Sequence, residues 1–150
     1  MEVKKFDPHA WRDNDGATDF GLFETGLKTR LRKRYGSKPF DLTTLQAAKR
    51  ALSKLPRKEL ASHTYHNSLG EMCCLGAFAC NSGGGELSGS NEVREYLVEA
   101  KNYDPRTVDA LEAVNQFQCP GESDNGRYKR VVAWINEQMG ISKERAKKRA

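Results

Sequence analysis

No stretch of this 150-residue chain approaches the ~20 consecutive apolar residues that a helix needs to cross a bilayer. The opening MEVKKFDPHAW also lacks the apolar run of a secretory signal. Alternation of apolar and polar residues, the mark of a half-buried strand, is missing, and no internal repeat is visible. Motifs of familiar chemistry are absent too. Gly83-Gly84-Gly85 is not followed by the Gly-Lys-Ser/Thr that completes a phosphate loop, and no HExxH or GxSxG occurs. Zinc-finger, RNP and GXXG patterns are likewise missing. Membrane insertion, export and a two-domain enzyme are therefore not expected.

What is present is charge. Charged residues make up 30% and hydrophobic residues 37%, with a mean hydropathy of -0.76, which describes a modest core under a long solvated surface. The net charge of +5 is sorted along the chain. Residues 1–27 sum to -3, 28–60 to +9, 61–127 to -6 and 128–150 to +5. Segregation on this scale gives a molecule poles that steer oppositely charged partners. A phosphate backbone is one such partner, because Lys and Arg release its counterions. Only Tyr35 and Phe40 lie close enough to the first basic cluster to stack on bases. The acidic middle would repel phosphates if it shared a face with the basic blocks, so a protein partner, or a protein within a nucleoprotein assembly, suits a bipolar surface at least as well.

Turn and cap signals divide the chain. Asp13-Asn14-Asp15-Gly16 reads as a turn, and Phe6, Trp11, Phe20 and Phe23 predict that residues 1–24 form a loop-rich segment lying across the domain. A basic helix is expected from Thr25 to Tyr35, ended by Gly36. Asp41 or Thr43 can cap a second, with Leu45, Ala48, Leu52 and Leu55 at helical spacing before Pro56. Residues 61–71 read as a loop or short β-hairpin. Met72 to Cys80 is the most apolar segment and predicts a buried helix of small side chains, with a buried strand as the alternative. Residues 82–90 form a Gly-rich loop. Asn91 can cap a helix with Val93, Leu97 and Ala100, and Asp104-Pro105 begins another with Val108, Leu111 and Val114. A last helix carries Val131, Trp134, Ile135 and Met139 and is expected to end at Gly140. The tail 142–150 is expected to be flexible and frayed, being shorter than the ~12–15 residues at which isolated helices become marginal. The expected fold is mostly α, one compact domain of four to six helices over 25–141.

Three readings compete for the four cysteines. Disulfides need an oxidising compartment, which nothing in the sequence supports. Zinc would draw on His63, His66, Cys73, Cys74, Cys80 and Cys119, but the cysteines supply no second closely spaced pair beside the His63/His66 pair. A nucleophile at Cys73 or Cys74 would gain from a helix N-terminus, yet His9, His63 and His66 all precede it. Small buried thiols behaving as hydrophobes are the favoured reading. No metal and no cofactor is expected.

Cys73-Cys74-Leu75-Gly76, preceded by the 45–55 helix and followed by Cys80, resembles the core of a family of small bacteriophage and prophage proteins. Asp124-Asn125-Gly126 before the last helix resembles the turn of that family. The resemblance covers about residues 44–138. Cys80 stands one residue later than the family pattern, Asn81 replaces an Asp, and a Gln-Gly segment before the core is missing. The resemblance implies a phage origin and action in the bacterial host cytoplasm, and carries no agreed activity. The expected function is a non-enzymatic binding protein that engages a host protein or nucleoprotein complex, such as an anti-defence or host-takeover inhibitor. Arg30, Arg32, Lys33, Arg34, Lys49, Arg50 and Lys54 are the expected binding residues. Direct attachment to DNA or RNA through them is the alternative, and a cysteine-dependent enzyme comes third.

Overall fold

In the computed structural model, residues 19–62, 65, 70–85, 87, 89–117 and 119–149 are described, and no strand occurs among them. Among the described residues six helices follow one another: α1 Asp19–Tyr35, α2 Leu42–Ser53, α3 Cys74–Ala79, α4 Ser90–Glu95, α5 Pro105–Gln116 and α6 Asp124–Arg149. Two are lengthened by wide π-type turns, α3 by Cys80–Gly84 and α4 by Tyr96–Ala100. Helix α2 packs on α3 and α6, and α5 packs on α1, α3 and α6. Together they make one compact helical domain around Leu45, Leu52, Phe78, Leu97, Leu111 and Ile135, all fully buried. No helix among the described residues is long and apolar enough to cross a membrane.

The start of α5 and the start of α2 are built alike and built together. Asp41 caps α2 through its Oδ2, which accepts from the Thr44 N–H at 2.9 Å and from the Thr44 hydroxyl at 2.7 Å. Asp104 does the same for α5 with the Thr107 N–H at 3.0 Å and hydroxyl at 2.6 Å, and Pro105 occupies the first helical position. Each threonine then serves the other helix. The Asp41 N–H donates to Thr107 Oγ1 at 2.9 Å and the Asp104 N–H to Thr44 Oγ1 at 3.0 Å. A Asp-x-x-Thr cap thus recurs sixty-odd residues apart, a repeat too short to stand out in the sequence. The exchange locks the two N-termini side by side.

The buried helix expected over 72–80 forms from Cys74, with Met72 and Cys73 ahead of it outside the helix. Gly76 is required there, because a Cβ would fall 1.8 Å from the Tyr65 carbonyl oxygen. Asn115, buried on α5, holds both ends of the 61–71 segment: its Oδ1 accepts from the Cys74 N–H and its Nδ2 donates to the Ala61 and Ser62 carbonyls. The Ala61 N–H donates to the Met72 carbonyl at 2.9 Å, closing the loop. A hairpin at 61–71 falls largely on positions outside the described residues, and residues 61, 62, 65, 70 and 71 form no strand.

Several helix boundaries differ from expectation. Residues 82–84, expected in the Gly-rich loop 82–90, belong to the π-type extension of α3, tied down by the Asn81 side chain on the Ala51 carbonyl and the Tyr96 hydroxyl on the Ser82 carbonyl. The next helix begins at Ser90 with Gly89 in the cap position, so Asn91 is not its cap. Helix α1 begins at Asp19, not Thr25, so 19–24 is helical and not loop. Gly21 and Gly26 cost only about 1 kcal/mol each inside a helix, and burial of Leu27 and Leu31 fixes the helix they sit in. Residues 1–18 lie outside the described residues. At the other end, Gly140 does not stop α6, which runs on to Arg149, so 142–149 is helical and not a frayed tail. The buried Ser142 hydroxyl donates to the Phe40 carbonyl at 2.7 Å, and Trp134 packs on Phe40 at 5.4 Å. Extending an anchored helix needs no new nucleus, so the length limit for isolated helices does not apply.

Candidate interaction surface

Burial and hydrogen bonding sort the arginines into two groups. Arg106 and Arg130 serve the fold. Arg106 donates to the Tyr35, Lys38 and Pro39 carbonyls at the end of α1 and lies 4.3 Å from the Phe40 ring centroid. Arg130, only 2% exposed, pairs with both Glu122 oxygens and donates to the Val114 and Phe117 carbonyls, satisfying the end of α5. Arg94 pairs with Asp109, and Arg127 with Asp124.

Arg30, Arg32, Lys33, Arg34, Lys49, Arg50 and Lys54 behave differently. All seven are exposed, and none forms an ion pair with a carboxylate among the described residues. Their contacts are light: the Arg30 guanidinium lies 5.5 Å from the Phe117 centroid, that of Arg34 5.7 Å from Tyr35, and Lys54 Nζ donates to the Asn81 carbonyl at 3.3 Å.

The fold does not keep the seven on one patch. Arg32 lines a hollow of about 250 Å³ between α1 and α6 with Lys38, Trp134 and Ile141. Arg34 lines another of about 270 Å³ whose wall carries Asp109 and Glu112, so cation and carboxylates mingle there. Arg50 and Lys54, at the end of α2, meet Lys101 on a cleft of about 380 Å³ bordered by Asn81, Ser82 and Tyr103. Lys101 escaped sequence reasoning because its block of the chain is acidic, and the only signal for it is spatial.

Thiol chemistry finds a different setting. All four cysteines are free; Cys73, Cys74 and Cys119 are buried and Cys80 half-buried. Cys73 stands just before α3. Burial pushes its thiol up, outweighing the backbone N–H groups of Gly76 and Leu75 that pull it down. Burial also raises Cys74, and lifts Cys119 to about 11 against the pull of Arg130. Such thiols keep their protons at neutral pH, and the thiolate is the nucleophilic form. His9, His63 and His66 lie outside the described residues, and with them the imidazole half of the zinc and dyad readings. Among the described residues no group of three or more His, Cys, Asp or Glu side chains could hold a metal ion.

Compared with protein families, with curated proteins and with solved structures, the chain matches none.

Proposed function

We propose that this is a non-enzymatic binding protein that engages an acidic surface on a protein or nucleoprotein complex through the exposed cations of α1 and α2. One observation carries the reading: seven exposed cations in a single run of sequence take no carboxylate partner among the described residues, while Arg94, Arg106, Arg127 and Arg130 are committed within the fold. Unpaired surface charge costs little in stability and raises the rate of encounter with an oppositely charged partner. Protonated, buried thiols support a binding role over a cysteine-dependent reaction. The likeness of Cys73-Cys74-Leu75-Gly76 to phage proteins supports a host component as the target, met in the bacterial cytoplasm.

The test is affinity capture from bacterial lysate with and without nuclease, using the unaltered chain and an Arg30→Glu, Arg32→Glu, Lys33→Glu variant. A partner retained by the first and lost by the second, with thermal stability unchanged, is the expected result. Equal capture by both chains would refute the reading. Loss of all capture on nuclease treatment would move the assignment to direct DNA or RNA binding.

A further inference from the structure

At the cleft at the end of α2, three cations converge that pair with no carboxylate among the described residues. Arg50, Lys54 and Lys101 line it, and no carboxylate is among its described lining residues. Ser82 and Tyr103 add hydroxyls. Two backbone carbonyls of the lining residues already have donors. The Asn81 carbonyl accepts from Lys54 Nζ at 3.3 Å and the Ser82 carbonyl from the Tyr96 hydroxyl at 2.8 Å. The Asn81 side chain is committed as well, donating to the Ala51 carbonyl at 2.9 Å. Three cations and two hydroxyls thus face no carboxylate among the described lining residues.

Helix ends supply a competing explanation for these cations, since each C-terminus carries about half a negative charge that Lys or Arg can neutralise. Three ends meet here: α2 at Ser53, the extension of α3 at Gly84 and the extension of α4 at Ala100. Together they offset at most about -1.5 of the +3, leaving about +1.5 for a ligand. A terminal phosphate group carries about -1.5 to -2 at neutral pH and presents three acceptor oxygens, whereas a carboxylate carries -1 and two; a nucleic-acid backbone carries only -1 per phosphate but repeats it along the strand, so that neighbouring phosphates together supply the charge. Gly83 shapes the rim: its φ is +102°, and a Cβ there would approach the Tyr96 hydroxyl to 3.2 Å.

We infer that this cleft binds a phosphate group, carried by a nucleic-acid backbone or by a free phosphorylated small molecule. The inference rests on the reading of Arg50 and Lys54 as partner-facing and adds Lys101 and the ligand chemistry.

Calorimetric titrations at low ionic strength would use inorganic pyrophosphate, a single-stranded DNA 12-mer and hexaglutamate. Pyrophosphate, the 12-mer or both should bind at least tenfold tighter than hexaglutamate. Binding of the 12-mer alone identifies the backbone as the source; binding of pyrophosphate identifies a free phosphate group as sufficient. Lys101→Ala and Arg50→Ala should each weaken binding by about tenfold or more, as expected for a lost charge-assisted hydrogen bond. Each should also flatten the salt dependence by about one released ion. Lys101 is exposed, so its variant keeps the test intact if Arg50→Ala lowers thermal stability. No binding of either phosphate probe, unchanged binding by both variants, or equal affinity for hexaglutamate overturns the inference. The α1 triple reversal should leave pyrophosphate binding intact, which separates failure of this cleft from failure of the α1 surface.

Discussion

Replacing Thr107 by Val tests the cap exchange that orients α2 and α5. The side chain is fully buried, and valine keeps its shape. Two interactions disappear: the hydroxyl no longer donates to Asp104 Oδ2 at 2.6 Å, and the Asp41 N–H loses its acceptor at 2.9 Å. A hydrogen bond to a carboxylate contributes about 1.5–3 kcal/mol, and an orphaned buried donor costs about 1–3 kcal/mol. Asp41 is itself exposed and water can replace part of the loss, so the low end of the sum, about 2–3 kcal/mol, is expected. At ~2–4 °C per kcal/mol for a chain of this size, the melting temperature should fall by about 4–12 °C. Thr107→Ser keeps the hydroxyl and should lose less. Thr44→Val removes the mirror-image pair of bonds, and in a double-mutant cycle with Thr107→Val the two should couple by at least about 0.5 kcal/mol. Urea and thermal unfolding followed by circular dichroism give both quantities. Valine as stable as threonine, serine worse than valine, or strict additivity would refute the exchange.

Gly76→Ala places a Cβ on the Tyr65 backbone and should cost about 3 kcal/mol or more, the upper range for overpacking, read as a lower urea midpoint. Asn115→Leu strands the Cys74 N–H and the Ala61 and Ser62 carbonyls; a loss of about 2–4 kcal/mol is expected from the orphaned groups, with faster amide exchange at Cys74. Stability should also fall with rising pH in the alkaline range. Cys73, Cys74 and Cys119 hold their protons more tightly folded than unfolded, Cys119 to about 11. The unfolded thiol ionises first, near ~8.5, so the folded chain loses this advantage as pH climbs from there towards 11. Cys119→Ala should flatten the decline measured by urea midpoints between pH 8 and 10; an unchanged slope would count against the burial of that thiol.

Helix starts and stops with chemistry inside one turn were readable from the chain. Asp41, Asp104-Pro105 and Gly36 lie where the sequence put them because a cap satisfies orphaned backbone groups three or four residues away. The periodic leucines of α2 and the small apolar run of α3 were readable for the same local reason. Boundaries set from a distance were not. Gly140 fails to end α6 because Ser142 is held by Phe40, over a hundred residues earlier. The Asp-x-x-Thr caps interlock only once α2 and α5 are side by side.

The binding residues divide in the same way. Charge segregation along the chain needs no structure, since it is a sum over residue types, and it pointed to the seven cations of α1 and α2. Which arginines are spent on the fold depends on desolvation and on carbonyls that arrive from elsewhere: Arg106 and Arg130 cap helices, while Arg50 and Lys54 remain open. Lys101 belongs to an acidic stretch of sequence and joins them only through packing. Local hydrogen-bonding chemistry wrote the helices into the order of residues; burial and long-range contact chose which charges face outward and where they meet.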